Sequence, residues 1–87
     1  MRTKFDSEIT EKLYELSLDG TNEELGNVQY FGWYGLLLNT GIENAEYAIL
    51  YEDSNGFVYS YIYQSENAIM EEWESLQIQE RIYYDSV

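Results

Sequence analysis

The sequence contains no cysteine, no histidine and no proline. The absence of cysteine excludes a disulfide framework and a thiolate metal site. The absence of histidine removes the commonest general base and metal ligand. No apolar run is long enough to span a bilayer. The first basic residues, Arg2 and Lys4, precede Asp6 rather than the apolar segment of a signal peptide. We therefore expect a cytoplasmic, non-enzymatic protein without metal or cofactor.

Basic residues are also scarce. Four Lys and Arg stand against seventeen Asp and Glu, which gives a net charge of −13 at pH 7. Between Leu13 and Glu80 there are thirteen acids and no Lys or Arg. These negative charges repel one another, and together they steer cationic partners towards the chain. An anionic membrane surface and a nucleic acid would be repelled by the same charge.

Aromatic residues are plentiful, at 17% of the chain, and ten of them are tyrosines. An acidic chain poor in aromatics would be expected to be disordered, whereas this composition favours a folded core. No linker or repeat interrupts the 87 residues. We predict one folded domain over residues 1–87.

The N-terminal part predicts a helix over residues 6–18, capped by Asp6 or Ser7. Ile9, Leu13 and Leu16 have helical spacing and should form its buried face. Gly20 suits the left-handed position after the helix. Residues 21–24 have the form of a capping box, which predicts a single turn ending at Gly26.

Residues 27–38 are apolar on both alternating faces, and Gly32 and Gly35 disfavour a helix interior. One strand buried on both sides, with a bulge at a glycine, explains this best. A buried helix remains the alternative. The strand would place Val28, Tyr30, Tyr34, Leu36 and Leu38 on one face, and Phe31, Trp33 and Leu37 on the other.

A hairpin is predicted from residues 46–52 and 57–64, with 53–56 (Asp-Ser-Asn-Gly) as its turn. If residues 54–56 form a three-residue loop with a left-handed glycine, one face of the hairpin is aliphatic and the other is lined with tyrosines. One face carries Ala48, Leu50, Val58 and Ile62, and the other carries Tyr47, Tyr51, Tyr59, Tyr61 and Tyr63. A two-residue turn would mix these sets.

A final helix is predicted over residues 66–80, capped by Ser65 and buried along Ile69, Trp73 and Leu76, with Tyr83 or Tyr84 as a possible extension. Glu71 and Glu74 fall on its opposite side. The predicted fold is α+β: a three-stranded antiparallel sheet with an N-terminal and a C-terminal helix, in the order α-β-β-β-α.

Catalytic and metal sites find little support in the motifs. The glycine after Asp53 comes too early for an EF-hand loop. Carboxylates such as Glu52 and Glu66 or Glu71 could pair, but close pairs arise by chance among seventeen acids. The segment 32–35 lacks the spacing and the lysine of a phosphate-binding loop.

The acidic surface has two explanations: it keeps the protein in solution, or it binds a cationic partner. The acids favour a partner because they recur beside tyrosines and crowd the last helix, where like charges cost stability. The tyrosines at positions 59, 61 and 63 also have two explanations, either the inner face of the sheet or an exposed aromatic strip typical of interfaces.

The short, acidic, cysteine-free α+β chain resembles phage-encoded inhibitors that mimic DNA, such as anti-CRISPR proteins, anti-restriction proteins and uracil-DNA glycosylase inhibitors. The segment 48–56 (Ala-Ile-Leu-Tyr-Glu-Asp-Ser-Asn-Gly) is similar to a hairpin of the glycosylase inhibitors. The strand order and the last helix differ from that family. The resemblance implies an inhibitor in a bacterial host cell whose carboxylates occupy the DNA-binding groove of a basic protein.

The leading hypothesis is therefore an inhibitor of a bacterial defence nuclease, with an anti-CRISPR protein as the specific prediction and a monomer or small homo-oligomer as its state. The predicted partner-binding residues are Glu43, Glu46, Glu52 and Asp53 around the hairpin tip, Glu66, Glu71, Glu72 and Glu74 on the last helix, and Tyr51 and Tyr59 as aromatic anchors. Two alternatives remain open: an immunity protein for a nuclease toxin, and an acidic oligomerisation domain.

Overall fold

The computed structural model describes residues 3–19 and 28–85, with side chains described for 3–18 and 28–80. In chain order the elements are β1 (Lys4–Phe5), α1 (Glu8–Asp19), β2 (Val28–Phe31), β3 (Tyr34–Leu38), β4 (Tyr47–Glu52), β5 (Phe57–Tyr63) and α2 (Glu66–Asp85). The predicted turn over 21–26 and the predicted cap at Gly20 lie outside the described residues.

The strands form one five-stranded mixed sheet in the order β1-β5-β4-β3-β2. β1 is parallel to β5, and the other neighbours are antiparallel. The class is α+β as expected, but the predicted three-stranded antiparallel sheet is wrong. The two additional strands are β1, whose two residues are too few to show a periodicity, and β2, which forms a hairpin with β3 inside the single strand predicted over residues 27–38.

That hairpin turns at Gly32 and Trp33, so that Phe31 pairs with Tyr34. Gly32 has a φ of 58°, and a glycine with positive φ at the first of two turn positions is typical of a type II′ turn. Because Phe31 and Tyr34 are paired across this turn, even-numbered residues of β2 share a face with odd-numbered residues of β3. Consequently Val28 shares a face with Leu37, and the predicted faces for residues 27–38 are wrong.

The β4–β5 hairpin has the predicted three-residue loop. Gly56 has a φ of 80°, Glu52 pairs with Val58, and the Asp53 N–H donates to the Phe57 carbonyl oxygen at 3.0 Å. The register confirms both predicted faces of the hairpin. The tyrosines of β4 and β5 therefore all lie on one side of the sheet, and the small aliphatic side chains lie on the other.

Helix α1 packs on the aliphatic side. The Ser7 hydroxyl caps it by accepting the Thr10 N–H at 3.2 Å. Its most buried residues are Thr10, Leu13 and Ser17. The predicted inner residue Ile9 is 40% exposed, because the buried face is shifted by one position towards Thr10. The Thr10 hydroxyl hydrogen-bonds the Ser60 hydroxyl of β5 at 2.6 Å, and this contact fixes the rotation of the helix.

Around Leu13, the core on the α1 side contains Leu37, Ala45, Ala48, Leu50 and Val58. Helix α2 packs on the opposite face, where Ile69 and Trp73 contact Leu36 and Ile49. As predicted, the Ser65 hydroxyl accepts the Ala68 N–H at 3.1 Å at its start.

Helix α2 continues five residues past its predicted end, while the predicted inner residues Tyr83 and Tyr84 have side chains outside the described set. Within the described chain, neither helix has the length and apolar character needed to cross a membrane.

Candidate functional site

The face of the sheet under α2 is only partly covered. A row of aromatic rings crosses three strands at the end near the β4–β5 turn. Tyr34 and Tyr51 have ring centroids 5.0 Å apart, Tyr51 and Tyr59 are stacked at 6.0 Å, and Tyr59 lies 4.7 Å from Phe57. These side chains are half-buried. Two rings of this row, Tyr34 and Tyr51, line a cavity together with residues of α2.

Between the sheet and α2 lies a cavity of about 340 Å³, which we call the tyrosine groove. Four tyrosines, two aliphatic side chains and one carboxylate line it: Tyr34, Tyr51, Tyr61, Tyr63, Ile49, Leu76 and Glu72. Tyr61 is 51% exposed, and Glu72 is half-buried. The groove is therefore mostly aromatic, accessible and negatively charged on its helix side.

Two acids of α2, Glu72 and Glu80, contribute negative charge to this groove because of their helical spacing. Glu72, Leu76 and Glu80 are four residues apart and form one ridge of the helix. Burial raises the pKa of Tyr34, and the neighbouring Tyr51, Glu80, Tyr61 and Glu72 raise it further. Phenolate formation in the groove is thus opposed by negative charge already present there.

Two more tyrosines on this face, Tyr63 and Tyr59, also have raised pKa values. Burial raises the pKa of Tyr63, with further contributions from Glu72 and Tyr61. At the other end of the aromatic row, the pKa of Tyr59 is raised first by partial desolvation and then by Asp53. Carboxylates thus lie near both ends of the row, Glu72 and Glu80 at the groove and Asp53 at the turn, and such charges favour cations over anions.

Of the predicted partner-binding residues, the structure places the anchors Tyr51 and Tyr59 in the aromatic row and the acid Glu72 in the groove. The tyrosines at 59, 61 and 63 are neither a closed core nor a fully exposed strip. Tyr61 is open, while Tyr59 and Tyr63 are half-buried. Such partly covered rings are available for contact without unfolding any element.

The acids of the β4–β5 hairpin are less available for a partner than the prediction requires. One Asp53 carboxylate oxygen accepts the N–H groups of Asn55 and Phe57, each at 2.9 Å. Glu52 shares the α1 face with its partner Val58 and lines a different cavity, beside Tyr14. Asp53 therefore builds the turn, and Glu52 points away from the tyrosine groove.

Glu43 and Glu46 are separated from the hairpin tip. Both precede β4, whereas Asp53 follows it, and six strand residues place the two ends about 20 Å apart. The Glu46 carboxylate also accepts the Gly41 N–H at 3.2 Å in the β3–β4 loop. The grouping of these acids around one tip is not present in the structure.

Glu66, Glu71 and Glu74 are exposed on α2, but Glu11 and Glu15 are equally exposed on α1. Acidic side chains thus cover both helices, and their number alone does not single out a binding face. What distinguishes the α2 side is the combination of carboxylates with accessible tyrosines.

Sequence reasoning missed Tyr34 and Glu80. Tyr34 enters the groove because the Gly32–Trp33 turn places it opposite Tyr51 in the sheet. The four-residue spacing from Glu72 was a signal for Glu80, but the helix was expected to end there. Both omissions follow from wrong element boundaries.

Comparison with known proteins adds no relative. No protein-family model matches the chain, and no curated protein or solved structure is significantly similar to it. Among the described residues, no group of three or more Asp and Glu could hold a metal ion. The chemistry that the described site supports is the binding of a cationic group by aromatic faces and carboxylates.

Proposed function

We propose that this protein is a non-catalytic inhibitor that occupies the cationic nucleic-acid-binding site of another protein. The contact surface would be α2 together with the tyrosine groove and the adjoining aromatic row. The observation that carries the proposal is the placement of accessible tyrosines beside an acid-rich helix. A bacterial CRISPR effector nuclease is the partner to test first, since anti-CRISPR proteins are among the acidic inhibitors that the chain resembles.

The charge density of α2 supports mimicry of a nucleic-acid strand. Five acids lie between Glu66 and Glu80, a helical length of about 21 Å. This corresponds to one carboxylate per roughly 5 Å, against one phosphate per about 3.4 Å along the axis for a single DNA strand. At 3.6 residues per turn these carboxylates point to different sides of the helix, so a groove lined with Lys and Arg would meet some of them and not one continuous row.

The tyrosines supply what the carboxylates lack. Exposed ion pairs contribute only about 0–1 kcal/mol each, so charge alone gives weak and salt-sensitive binding. Aromatic side chains that become buried at an interface are the usual source of the larger contributions. The half-exposed rings of Tyr51, Tyr59 and Tyr61 lie beside the acids and would be buried together with them.

The proposal is tested by competition for DNA. A guide-loaded CRISPR effector nuclease binds a fluorescent target duplex, and the protein is added at increasing concentration at low and moderate salt. We expect loss of DNA binding, with weaker inhibition as salt rises because exposed charges are screened. No displacement in large excess at low salt would reject this class of partner.

A matched pair of variants distinguishes the effect of charges on one face from the effect of the net charge on inhibition. Glu71→Lys/Glu74→Lys and Glu11→Lys/Glu15→Lys change the net charge equally, at exposed positions of α2 and α1. We expect the α2 variant to weaken inhibition about tenfold or more and the α1 variant about threefold or less, since only the first alters the contact surface. Equal losses would mean that the α2 face has no special role.

A further inference from the structure

We propose that the tyrosine groove binds a single arginine side chain of the partner protein, with the guanidinium against the tyrosine rings and Glu72 as its counter-ion. This inference rests on the proposed function, because a protein that binds nucleic acid presents arginines in its binding site.

The size of the groove favours one side chain as the occupant. Its volume of about 340 Å³ is at the small end of the range for ligand pockets. It is bounded by Tyr34 and Tyr51 of the sheet on one side and by Leu76 of α2 on the other. A peptide strand or a helix would need a longer groove.

The lining fits both parts of an arginine side chain. Ile49 and Leu76 offer apolar surface to the methylene groups, which arginine commonly buries while its charged end stays near water. Tyr61 and Tyr63 add aromatic rings to the lining, and a guanidinium is attracted by the quadrupole of such a ring. Arginine stacks on such faces better than the compact, strongly hydrated lysine ammonium does.

The carboxylate of Glu72 is free to take the positive charge. Within the described part of the chain it accepts no hydrogen bond, unlike the carboxylates of Glu46 and Asp53. Glu72 lies half-buried at the groove wall. A carboxylate in this position can accept two parallel N–H bonds from a guanidinium, a geometry that lysine does not offer.

The test uses the whole protein and blocked amino acids as probes. N-acetyl-arginine methylamide is titrated into protein with isotope-labelled tyrosine rings, and the ring NMR signals are followed. The controls are the matching citrulline derivative, which is uncharged and nearly the same shape, and the matching lysine derivative. We expect saturable shifts of the Tyr61, Tyr63 and Tyr34 signals with arginine, and binding at least about fivefold weaker with either control.

Two single variants test whether Glu72 is the counter-ion of the bound arginine. Glu72→Gln removes the groove carboxylate, and Glu74→Gln removes an equal charge from the exposed side of the same helix. We expect the first to weaken arginine binding about fivefold and the second less than about twofold. Equal binding of citrulline or lysine, equal effects of the two variants, or no shift at the groove tyrosines would each overturn the inference.

The outcome is independent of the competition experiment. Displacement of DNA without arginine binding would retain the proposed function and reject the groove as its arginine site. Arginine binding without displacement of DNA would retain the groove and reject the partner class.

Discussion

The two faces of the sheet are built differently, although each carries one helix. On the α1 face, small aliphatic side chains of β4 and β5 allow the helix to lie close, and Leu13 is fully buried among them. On the α2 face, the same two strands present tyrosines, and α2 leaves a groove beside them. The first face is therefore closely packed, whereas the second keeps accessible aromatic surface, which the proposed function assigns to partner binding.

The polar contacts reinforce this division. On the α1 face the Thr10 hydroxyl is bonded to Ser60 and to the Asp6 carboxylate, and the Tyr30 hydroxyl donates to the Ser17 carbonyl oxygen at 3.0 Å. The groove tyrosines make no comparable hydrogen bond within the described residues. Four changes test whether stability and binding are separated in this way.

The largest expected effect is that of Leu13→Ala. The side chain is 0% exposed at the centre of the α1 face, so its truncation should lower the free energy of unfolding by about 3 kcal/mol. Urea unfolding followed by tryptophan fluorescence measures this loss. Leu18→Ala, at a position of the same helix that is 57% exposed, should cost less than about 1 kcal/mol. Similar losses at both positions would contradict the close packing of α1.

Thr10→Val should have the next largest effect. Valine keeps the shape of the fully buried side chain but removes the hydroxyl that joins α1 to β5 and to Asp6. A loss of about 2 kcal/mol is expected, because Asp6 and Ser60 both lose a partner. Thr10→Ser, which keeps the hydroxyl, should cost about half as much. If the valine variant were as stable as the original protein, the hydrogen bonds of the Thr10 hydroxyl would contribute nothing to the free energy of unfolding.

These two sites also show what the sequence could and could not reveal. Hydrophobicity assigns Ile9 to the inner face of α1, yet Thr10 is the buried residue because a hydroxyl of β5 lies opposite it. A tertiary hydrogen bond of this kind leaves no periodic signal. The capping serines and the β4–β5 hairpin were predicted because their signals lie within a few neighbouring residues.

The errors in the sheet have a similar local cause. Gly32 followed by Trp33 lacks the polar residue expected in a hairpin turn, so the pattern predicts one strand where the structure has the β2–β3 hairpin. The site is affected as well, because the turn puts Tyr34 on the opposite face from Val28 and Tyr30, and Tyr34 lies beside Tyr51. The crowding of acids on the last helix predicts Glu72, and the neighbouring acids Glu52 and Asp53 predict Tyr51, but their contribution to one groove depends on how α2 crosses the sheet.

Two tyrosines of equal exposure provide the third test. Tyr30 on the α1 face is 52% exposed and Tyr61 on the α2 face is 51% exposed. The Tyr30 ring lies over Gly35, where an added Cβ would be 3.1 Å from it, and its hydroxyl bonds to α1. Tyr30→Thr should therefore cost about 1.5 kcal/mol.

Tyr61→Thr should cost less than about 0.5 kcal/mol, since threonine suits a strand and the ring makes no hydrogen bond within the described chain. The same substitution should weaken the inhibition of DNA binding. Thermal or urea unfolding of the two variants compares the faces at matched exposure. Equal losses would show that exposure, rather than the face, determines the contribution of a tyrosine.

The smallest expected effect concerns pH and the groove itself. The pKa of Tyr34 and that of Tyr63 are raised in the folded protein by burial and by charges that include Glu72. Because the unfolded chain then loses these protons at lower pH than the folded chain, stability should be full below about pH 10 and fall as pH rises through the folded pKa values.

Urea unfolding over this alkaline range should show a smaller decline for Tyr34→Phe, which has no phenol to ionise at that position. The Tyr63 signal in NMR should titrate at lower pH in Glu72→Gln than in Glu74→Gln, because only Glu72 lies at the groove wall. If the two glutamine variants titrated alike, the negative potential would belong to the whole protein and not to the groove, and the contrast between the two faces would concern packing alone.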